Sequence, residues 1–138
     1  MKVAMITGAS SGIGAAVAAE LHGRGWRVGL IARREDRLKE LVAELGDNAD
    51  FATADVSDEA SLNDAVSALE SRLGPCDLMF ANDVSQKDIG FNSNYNQVSI
   101  IDKKGNVKII PKNKKSFIAK KIAEILLDKL LIDDRNTN

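Results

Sequence analysis

Residues 3–14 read VAMITGASSGIG, an apolar run that passes directly into a turn containing three glycines. The apolar start predicts a buried strand, and the four-residue spacing of Ile13, Val17 and Leu21 predicts a helix that begins near the last glycine. Glycines let such a turn approach a bound group closely and let the helix pack tightly on the strand. Backbone N–H groups at the positive end of the helix then face any anion. The stretch predicts a phosphate-binding turn; a tight turn that binds no ligand is the alternative.

The same unit, a short apolar run followed by an amphipathic helical stretch, is repeated along the first half of the chain. Further strands are predicted at residues 27–32, 50–54 and 77–81. The second helix ends at Gly46, and the third has Ser57 as its N-cap and stops at Gly74-Pro75. Short connections between these elements imply right-handed crossovers and a parallel sheet covered on both faces. The predicted architecture is therefore α/β.

The pattern changes after Ala81. From there on we predict a long polar loop at residues 82–96, a hairpin whose two strands are residues 97–101 and 107–110, and a final helix from about residue 115. Pro111 has no N–H to donate to a sheet and is expected to end the second strand of the hairpin.

Charge changes at about the same place. Residues 1–78 contain eight basic and 13 acidic side chains, a net charge of −5, whereas residues 79–138 contain 11 and seven, a net charge of +4. The overall net charge of −1 does not indicate a nucleic-acid-binding protein. No apolar run approaches the ~20 residues of a membrane span.

Cys76 is the only cysteine, so nothing argues for secretion and a cytosolic protein is expected. We expect one domain in 138 residues.

The T-G-x-x-x-G-x-G spacing of Thr7, Gly8, Gly12 and Gly14 resembles the turn of the short-chain dehydrogenase/reductase family. The resemblance covers residues 1–82, and the fold expected is a Rossmann-like three-layer open sheet of order 3-2-1-4-5-6 with an antiparallel edge strand. The resemblance implies NADP(H) as cofactor. The residues it assigns to cofactor binding are Gly8, Ser10, Ser11, Gly12, Ile13, Gly14, Arg33, Arg34, Asp55, Val56 and Asn82.

The implied roles outside the glycine turn follow from position after a strand. Arg33 and Arg34 follow the second strand, where NADP-preferring members place basic groups, and guanidinium groups bind a phosphate bidentately. A solvated helix start is the alternative for both. Asp55 and Val56 occupy the family's adenine-contacting position, with a turn or capping role as the alternative for Asp55. Asn82 matches one asparagine of the family's N-N-A-G motif, whose other three positions differ here.

The chain lacks the pair on which the family's reduction chemistry depends. That chemistry uses Tyr-x-x-x-Lys, in which the lysine lowers the pKa of the tyrosine so that the phenol can transfer a proton. Tyr95 is the only tyrosine, and the residue four positions after it is Ser99. Hydride transfer is therefore not expected. His22 has no second histidine or cysteine at ligand spacing, so no metal site is predicted.

From about residue 77 the chain resembles the C-terminal part of phosphopantothenoylcysteine synthetase, a nucleotide-dependent ligase of coenzyme A biosynthesis. The residues that carry this second resemblance are 81–85 (ANDVS), 90–93 (GFNS), Asn96, Lys115, Ala119 and Ile122. The two resemblances meet at the fourth predicted strand. They suggest an engineered chimera, a scaffold that is not an enzyme but retains weak NADP(H) binding.

Two other hypotheses stay open. One is a truncated oxidoreductase of the short-chain dehydrogenase family, and the other is a natural, non-enzymatic fusion used for protein interaction. For the scaffold hypothesis, the expected partner is a dinucleotide, with no nucleic acid and no membrane. A monomer is expected.

Overall fold

The computed structural model is described over residues 2–9, 12–83, 95–102 and 104–114, leaving aside the side chains at 82, 83, 95–98 and 110–114. Its elements are β1 Val3–Thr7, α1 Gly12–Gly23, β2 Arg27–Ala32, α2 Glu35–Leu45, β3 Ala49–Thr53, α3 Glu59–Leu73, β4 Leu78–Asp83, β5 Tyr95–Asp102 and β6 Val107–Lys114.

The described strands form one sheet in the order β3-β2-β1-β4-β5-β6. β1 pairs in parallel with β2 and with β4, and β2 pairs in parallel with β3, because a helix carries the chain back between these strands. β5 pairs antiparallel with β4, and the edge strand β6 pairs antiparallel with β5. The predicted α/β class, strand order and antiparallel edge are confirmed.

Helices cover both faces of the sheet and make three layers. On one face, apolar side chains of α1 and α2 such as Leu21 and Leu38 join a buried cluster with Ile6 from β1. On the other face, α3 packs Leu69 and its neighbours against residues of β1 and β2 such as Met5. Leu21, Leu38 and Leu69 are fully buried, and each contributes about 1.5–3 kcal/mol through removal of its side chain from water.

The third helix begins one residue later than predicted. Asp58, rather than Ser57, is the N-cap, and its carboxylate accepts hydrogen bonds from the backbone N–H groups of Ala60 and Ser61. Both residues have side chains that can cap a helix, but the Ser57 hydroxyl makes a different hydrogen bond, described below. The predicted ends of α2 and α3 are confirmed, because Gly46 and Gly74 take positive φ values of 83° and 107° directly after the last helical residues.

The predicted hairpin turn is present and is organised by Asp102. Its Oδ1 accepts hydrogen bonds of 2.9 Å from the backbone N–H groups of Lys104 and Asn106. Gly105 then donates its N–H to the Asp102 carbonyl at 3.0 Å. Because one carboxylate satisfies two backbone donors, a short turn can reverse the chain between β5 and β6.

The prediction that Pro111 ends β6 is wrong, since the strand continues to Lys114. Val98 pairs with Ile110, whereas Asn96 pairs with Asn113, so the register shifts by one residue between them. Pro111 therefore lies in a β-bulge of an edge strand. A proline is tolerated there because the missing N–H removes no regular ladder hydrogen bond.

The predicted bounds of the long loop at 82–96 are wrong at both ends, because β4 runs to Asp83 and β5 begins at Tyr95. Pairing of Asp83 with Gln97 extends both strands through residues whose polar side chains had suggested a loop. Residues 84–94 and the final helix predicted from about Lys115 lie outside the described residues. In the part of the chain that is described, no helix is both long enough and apolar enough to cross a membrane.

Candidate functional site

The four parallel strands end at the same edge of the sheet, which we call the carboxyl edge. Because the strand order is β3-β2-β1-β4, the residues that follow these strands lie along it in the order Asp55, Arg33, Gly8 and the end of β4. The chain leaves β1 toward β2 on one side, and β4 lies on the other. Open α/β sheets bind ligands in the crevice at such a reversal of strand order.

Each glycine of the turn after β1 has its own structural reason. Gly8 and Gly12 have φ values of 64° and 63°, in the left-handed region that favours glycine. Gly14 has no such φ, but a Cβ atom at this position would overlap the carbonyl oxygen of Gly8 and lie 2.8 Å from its carbon. The first turn of α1 thus packs directly against the end of β1. The positive end of the helix is held at the carboxyl edge.

Among the described residues of this turn, the groups that could contact an anion are backbone groups. The side chain of Ile13 is 3% exposed and belongs to the core, so this residue could contribute only through its N–H. The first N–H groups of a helix have no partner within the helix and point outward at its start. The N–H of Ala9 is already donated to the Ile31 carbonyl at 3.3 Å. Ser10 and Ser11 lie outside the described residues.

Thr7 supports this turn and was not among the predicted site residues. It is 4% exposed, and its hydroxyl donates to the carbonyl of Phe80 at 3.3 Å. This bond joins the last residue of β1 to β4 next to the glycine turn. The sequence signal was its position directly before the first glycine.

Arg33 and Asp55, predicted to contact different parts of a cofactor, form an ion pair. Arg33 Nη2 lies 2.9 Å from Asp55 Oδ1, and the two side chains are 71% and 47% exposed. The same Oδ1 accepts the hydroxyl of Ser57 at 2.6 Å and its backbone N–H at 3.0 Å. The turn role considered for Asp55 is therefore present in the structure.

These contacts also affect the ionisation of Asp55. The hydrogen bonds from Ser57, and then the contact with Arg33, lower its pKa from 3.8 to about 2. The carboxylate is therefore negative throughout the neutral pH range. The Asp-x-Ser spacing of Asp55 and Ser57 is a sequence signal for such a turn.

Arg34 is not part of the cluster formed by Arg33, Asp55 and Ser57. It occupies the N-cap position of α2 without a side-chain capping bond, and its Nη2 lies 3.4 Å from Asp36 Oδ2. Its side chain is 66% exposed, as expected for a solvated helix start. Val56 is 39% exposed and provides apolar surface beside Asp55. The backbone of Asn82 lies in β4, and its side chain is outside the described set.

The carboxyl edge thus combines a positive helix end, two exposed guanidinium groups and an exposed apolar side chain. Such an edge can bind a molecule with several phosphate groups and a flat apolar part. Over the described residues, no group of three or more His, Cys, Asp or Glu side chains could hold a metal ion.

The chain is similar to known proteins over much of its length. A family model of short chain dehydrogenases matches residues 2–107. The chain is 35% identical over 81 residues to 2,3-dihydro-2,3-dihydroxybenzoate dehydrogenase of Bacillus subtilis, a match covering 56% of this chain and 31% of that protein.

Two solved structures also match this chain. An actinorhodin polyketide ketoreductase with NADPH matches with a TM-score of 0.53 and 38% identity, over 56% of this chain and 31% of that one. The 3-ketoacyl-(acyl-carrier-protein) reductase of Brucella melitensis, complexed with NADH, matches with a TM-score of 0.55 and 37% identity, over 56% and 32%. The chain spans about a third of the length of the curated relatives it matches.

These matches overturn two predictions made from the sequence. The hypothesis of an engineered chimera without catalytic activity is wrong, because the family match extends to residue 107 and passes over the composition change at residue 78. The prediction that the chain is not an enzyme is wrong because its relatives are named oxidoreductases and dehydrogenases. The change in composition is not a change of fold, since β4 pairs both with β1 before it and with β5 after it. The resemblance of the residues from about 77 onward to the synthetase stays a prediction.

The fold, the turn after β1 and the family match agree with one another. The matched residues extend from the start of β1 into β6 and make up most of the 138 residues. The chain belongs to the short chain dehydrogenase family.

Proposed function

We propose that this chain is the dinucleotide-binding part of a short-chain oxidoreductase and that it binds NADPH in preference to NADH. The observation that carries the proposal is the contact between Gly14 and the carbonyl of Gly8, which would not tolerate a Cβ atom. It keeps the start of α1 close against β1, so that backbone N–H groups are directed to a pyrophosphate at the carboxyl edge. The solved relatives with NADPH and with NADH support a nicotinamide dinucleotide.

The preference for NADPH is proposed from the charges at the end of β2. NADPH differs from NADH by a 2′-phosphate on the adenosine ribose, and Arg33 and Arg34 present exposed guanidinium groups at this edge. A guanidinium can donate two parallel hydrogen bonds to a phosphate, which makes this contact stronger than one between neutral groups.

The remaining proposed contacts follow the family resemblance. The turn residues Gly8, Ser10, Ser11, Gly12, Ile13 and Gly14 bind the pyrophosphate, Asp55 and Val56 lie at the adenine, and Asn82 lies at a ribose. The reduced nicotinamide supplies a hydride when it is bound. The residues of this chain bind the cofactor and hold its adenosine end.

The proton that accompanies reduction of a carbonyl requires a group outside this set. Tyr95 is the only tyrosine, and no lysine follows it by four residues. We therefore propose that a further segment or subunit provides the proton donor of the complete oxidoreductase. A cytosolic location, a monomeric state and a single domain stay predictions.

The test is a calorimetric titration of the 138-residue chain with NADPH and with NADH. We expect saturable NADPH binding and a weaker response to NADH. The Arg33→Ala variant should lose about tenfold or more in NADPH affinity, since hydrogen bonds to charged groups contribute ~1.5–3 kcal/mol. Its NADH affinity should stay unchanged.

Arg72→Ala is the matched control. Arg72 forms an ion pair of the same length, 2.9 Å, with Asp50. Asp50 lies near the start of β3, so this pair is at the opposite edge of the sheet. The control should bind NADPH like the wild type. An absence of saturable binding by either cofactor would reject the dinucleotide proposal, and equal losses of both in Arg33→Ala would reject the role of Arg33.

A further inference from the structure

We propose that Ser57 is a positioning residue for the selection of NADPH: Ser57 holds the carboxylate of Asp55, which in turn holds the guanidinium of Arg33 at the carboxyl edge. This inference rests on the function proposed above. Ser57 does not belong to the glycine turn or to the residues assigned to the cofactor.

The contacts form a short chain between two loops. Ser57 donates both its hydroxyl, at 2.6 Å, and its backbone N–H, at 3.0 Å, to Asp55 Oδ1. Arg33 donates to the same oxygen at 2.9 Å, across 22 residues of sequence. The backbone is also tied, because the N–H of Asp58 donates to the carbonyl of Asp55 at 3.0 Å. The loop after β3 therefore presents Asp55 in one orientation to the loop after β2.

A fixed carboxylate matters because Arg33 is otherwise a long, exposed side chain. Its side chain is 71% exposed, and holding a free arginine side chain in one conformation costs rotamer entropy. A guanidinium has five N–H donors, so a bond from Nη2 to Asp55 leaves donors on the other nitrogens for a phosphate. Orienting Arg33 before binding lowers the entropic cost of the phosphate contact. NADH has no 2′-phosphate, so its affinity should not depend on this orientation.

The effect of Ser57 is one of orientation and not of charge. Hydrogen bonds from Ser57 are the largest cause of the lowered pKa of Asp55. Without them that pKa would move back toward 3.8, which is still far below neutral. Asp55 therefore stays negative at neutral pH in a Ser57→Ala variant. What the variant loses is the direction in which the carboxylate, and with it Arg33, is held.

The direction of the change in NADPH affinity distinguishes orientation of Arg33 by Asp55 from repulsion of the phosphate by Asp55. A carboxylate next to a bound phosphate repels it, and if repulsion prevailed, loosening Asp55 would strengthen NADPH binding. Orientation predicts that Ser57→Ala weakens NADPH binding, whereas repulsion predicts that it strengthens it.

The experiment titrates NADPH and NADH into the full chain at neutral pH. Ser57→Ala should weaken NADPH about three- to tenfold, the range for losing a hydrogen bond of ordinary strength, and leave NADH unchanged. Ser57→Thr keeps the hydroxyl and should restore the NADPH affinity. Ser71→Ala is the matched control, because the Ser71 hydroxyl bonds only locally, to the carbonyl of Ala68 at 2.7 Å in α3.

A double-mutant cycle shows whether Ser57 acts through Arg33. In an Arg33→Ala background, Ser57→Ala should have no further effect on NADPH affinity, because the two changes act on one contact. Thermal unfolding of each variant checks that the chain is folded, and Ser57 is an exposed turn residue whose truncation leaves no cavity.

The outcomes separate this inference from the proposed function. Wild-type protein that binds neither cofactor would reject both. Wild-type protein that prefers NADPH would support the proposed function, and the inference would then be overturned by any of three results: an unchanged NADPH affinity in Ser57→Ala, equal losses for NADPH and NADH, or tighter NADPH binding. An undiminished effect of Ser57→Ala in the Arg33→Ala background would also overturn it.

Discussion

Gly14 shows how one missing side chain sets the geometry of the candidate site. Its φ is not in the left-handed region, so any residue could adopt its backbone conformation. What requires glycine is the carbonyl of Gly8, which occupies the position of a Cβ atom. In Gly8 and Gly12 the reason is different, since positive φ values of 64° and 63° favour glycine at both.

We therefore predict opposite effects for two glycine-to-alanine changes in α1. Gly14→Ala should lower the free energy of unfolding by about 1–3 kcal/mol, the usual cost of forcing extra atoms into a packed site, and should weaken NADPH binding. Gly23→Ala should be neutral or stabilising by up to about 1 kcal/mol, because alanine is the better helix former and its Cβ would meet nothing within 4 Å.

Urea unfolding followed by circular dichroism measures both changes. A Gly14→Ala variant as stable as Gly23→Ala would show that the helix can move away from β1 without cost. The close contact would then not define the turn.

Predictability differs among the site residues for a physical reason. The glycine turn could be identified because its constraints lie within eight consecutive residues, Thr7 to Gly14. The cluster of Arg33, Asp55 and Ser57 could not, because the Arg33 contact spans 22 residues and exists only once β2 and β3 are paired. Sequence position indicated that both charged residues lie at one edge, but not that they bind each other.

At the scale of elements, the start of α3 is decided by competition between neighbours. Ser57 and Asp58 are both good N-caps. Asp55 accepts two hydrogen bonds from Ser57, which leaves Asp58 to accept the N–H groups of Ala60 and Ser61. The one-residue error in the predicted helix start thus has the same origin as the proposed role of Ser57.

We predict that Asp58→Ala lowers the free energy of unfolding by about 1 kcal/mol, the typical cost of losing a capping side chain. Asp58→Asn keeps an oxygen acceptor and should recover most of that loss. Denaturant unfolding of the two variants and the wild type provides the comparison. Equal stability of Asp58→Ala and the wild type would argue against a capping role for this residue.

Edge strand β6 shows a second limit of local patterns. Pro111 reads as a strand end because it lacks an N–H, but in the fold it occupies a bulge of an edge strand. Local composition carries no information about which strand will be at the edge. That information comes from the strand order of the whole sheet, which was expected from the family resemblance and not from the local pattern.

At the scale of the molecule, the change in charge near residue 78 lies within a continuous core. β4 pairs with β1 through Leu78, Met79 and Phe80, and the same residues pair with β5 on the other side. Ile100 of β5 is 4% exposed and belongs to the buried cluster that also contains Ile6 and Trp26. β5, which follows the composition change, is therefore packed with the parallel strands that precede that change.

This packing predicts that a small change in β5 alters the unfolding of the first part of the chain. Ile100→Val removes one buried methylene and should lower the free energy of unfolding by about 0.5–1.5 kcal/mol. Trp26, the only tryptophan, is 2% exposed and reports unfolding of the parallel strands by its fluorescence.

Ile109→Val is the matched control on the neighbouring strand. Because Ile109 is 56% exposed, this substitution should change the free energy of unfolding by no more than about 0.5 kcal/mol. If the hairpin and the parallel strands unfolded independently, the Trp26 transition would keep its midpoint in both variants. A shift of that midpoint in Ile100→Val alone requires one cooperative unit that extends across residue 78. Only a shared core allows the loss of a methylene in β5 to destabilise the surroundings of a tryptophan that precedes β2.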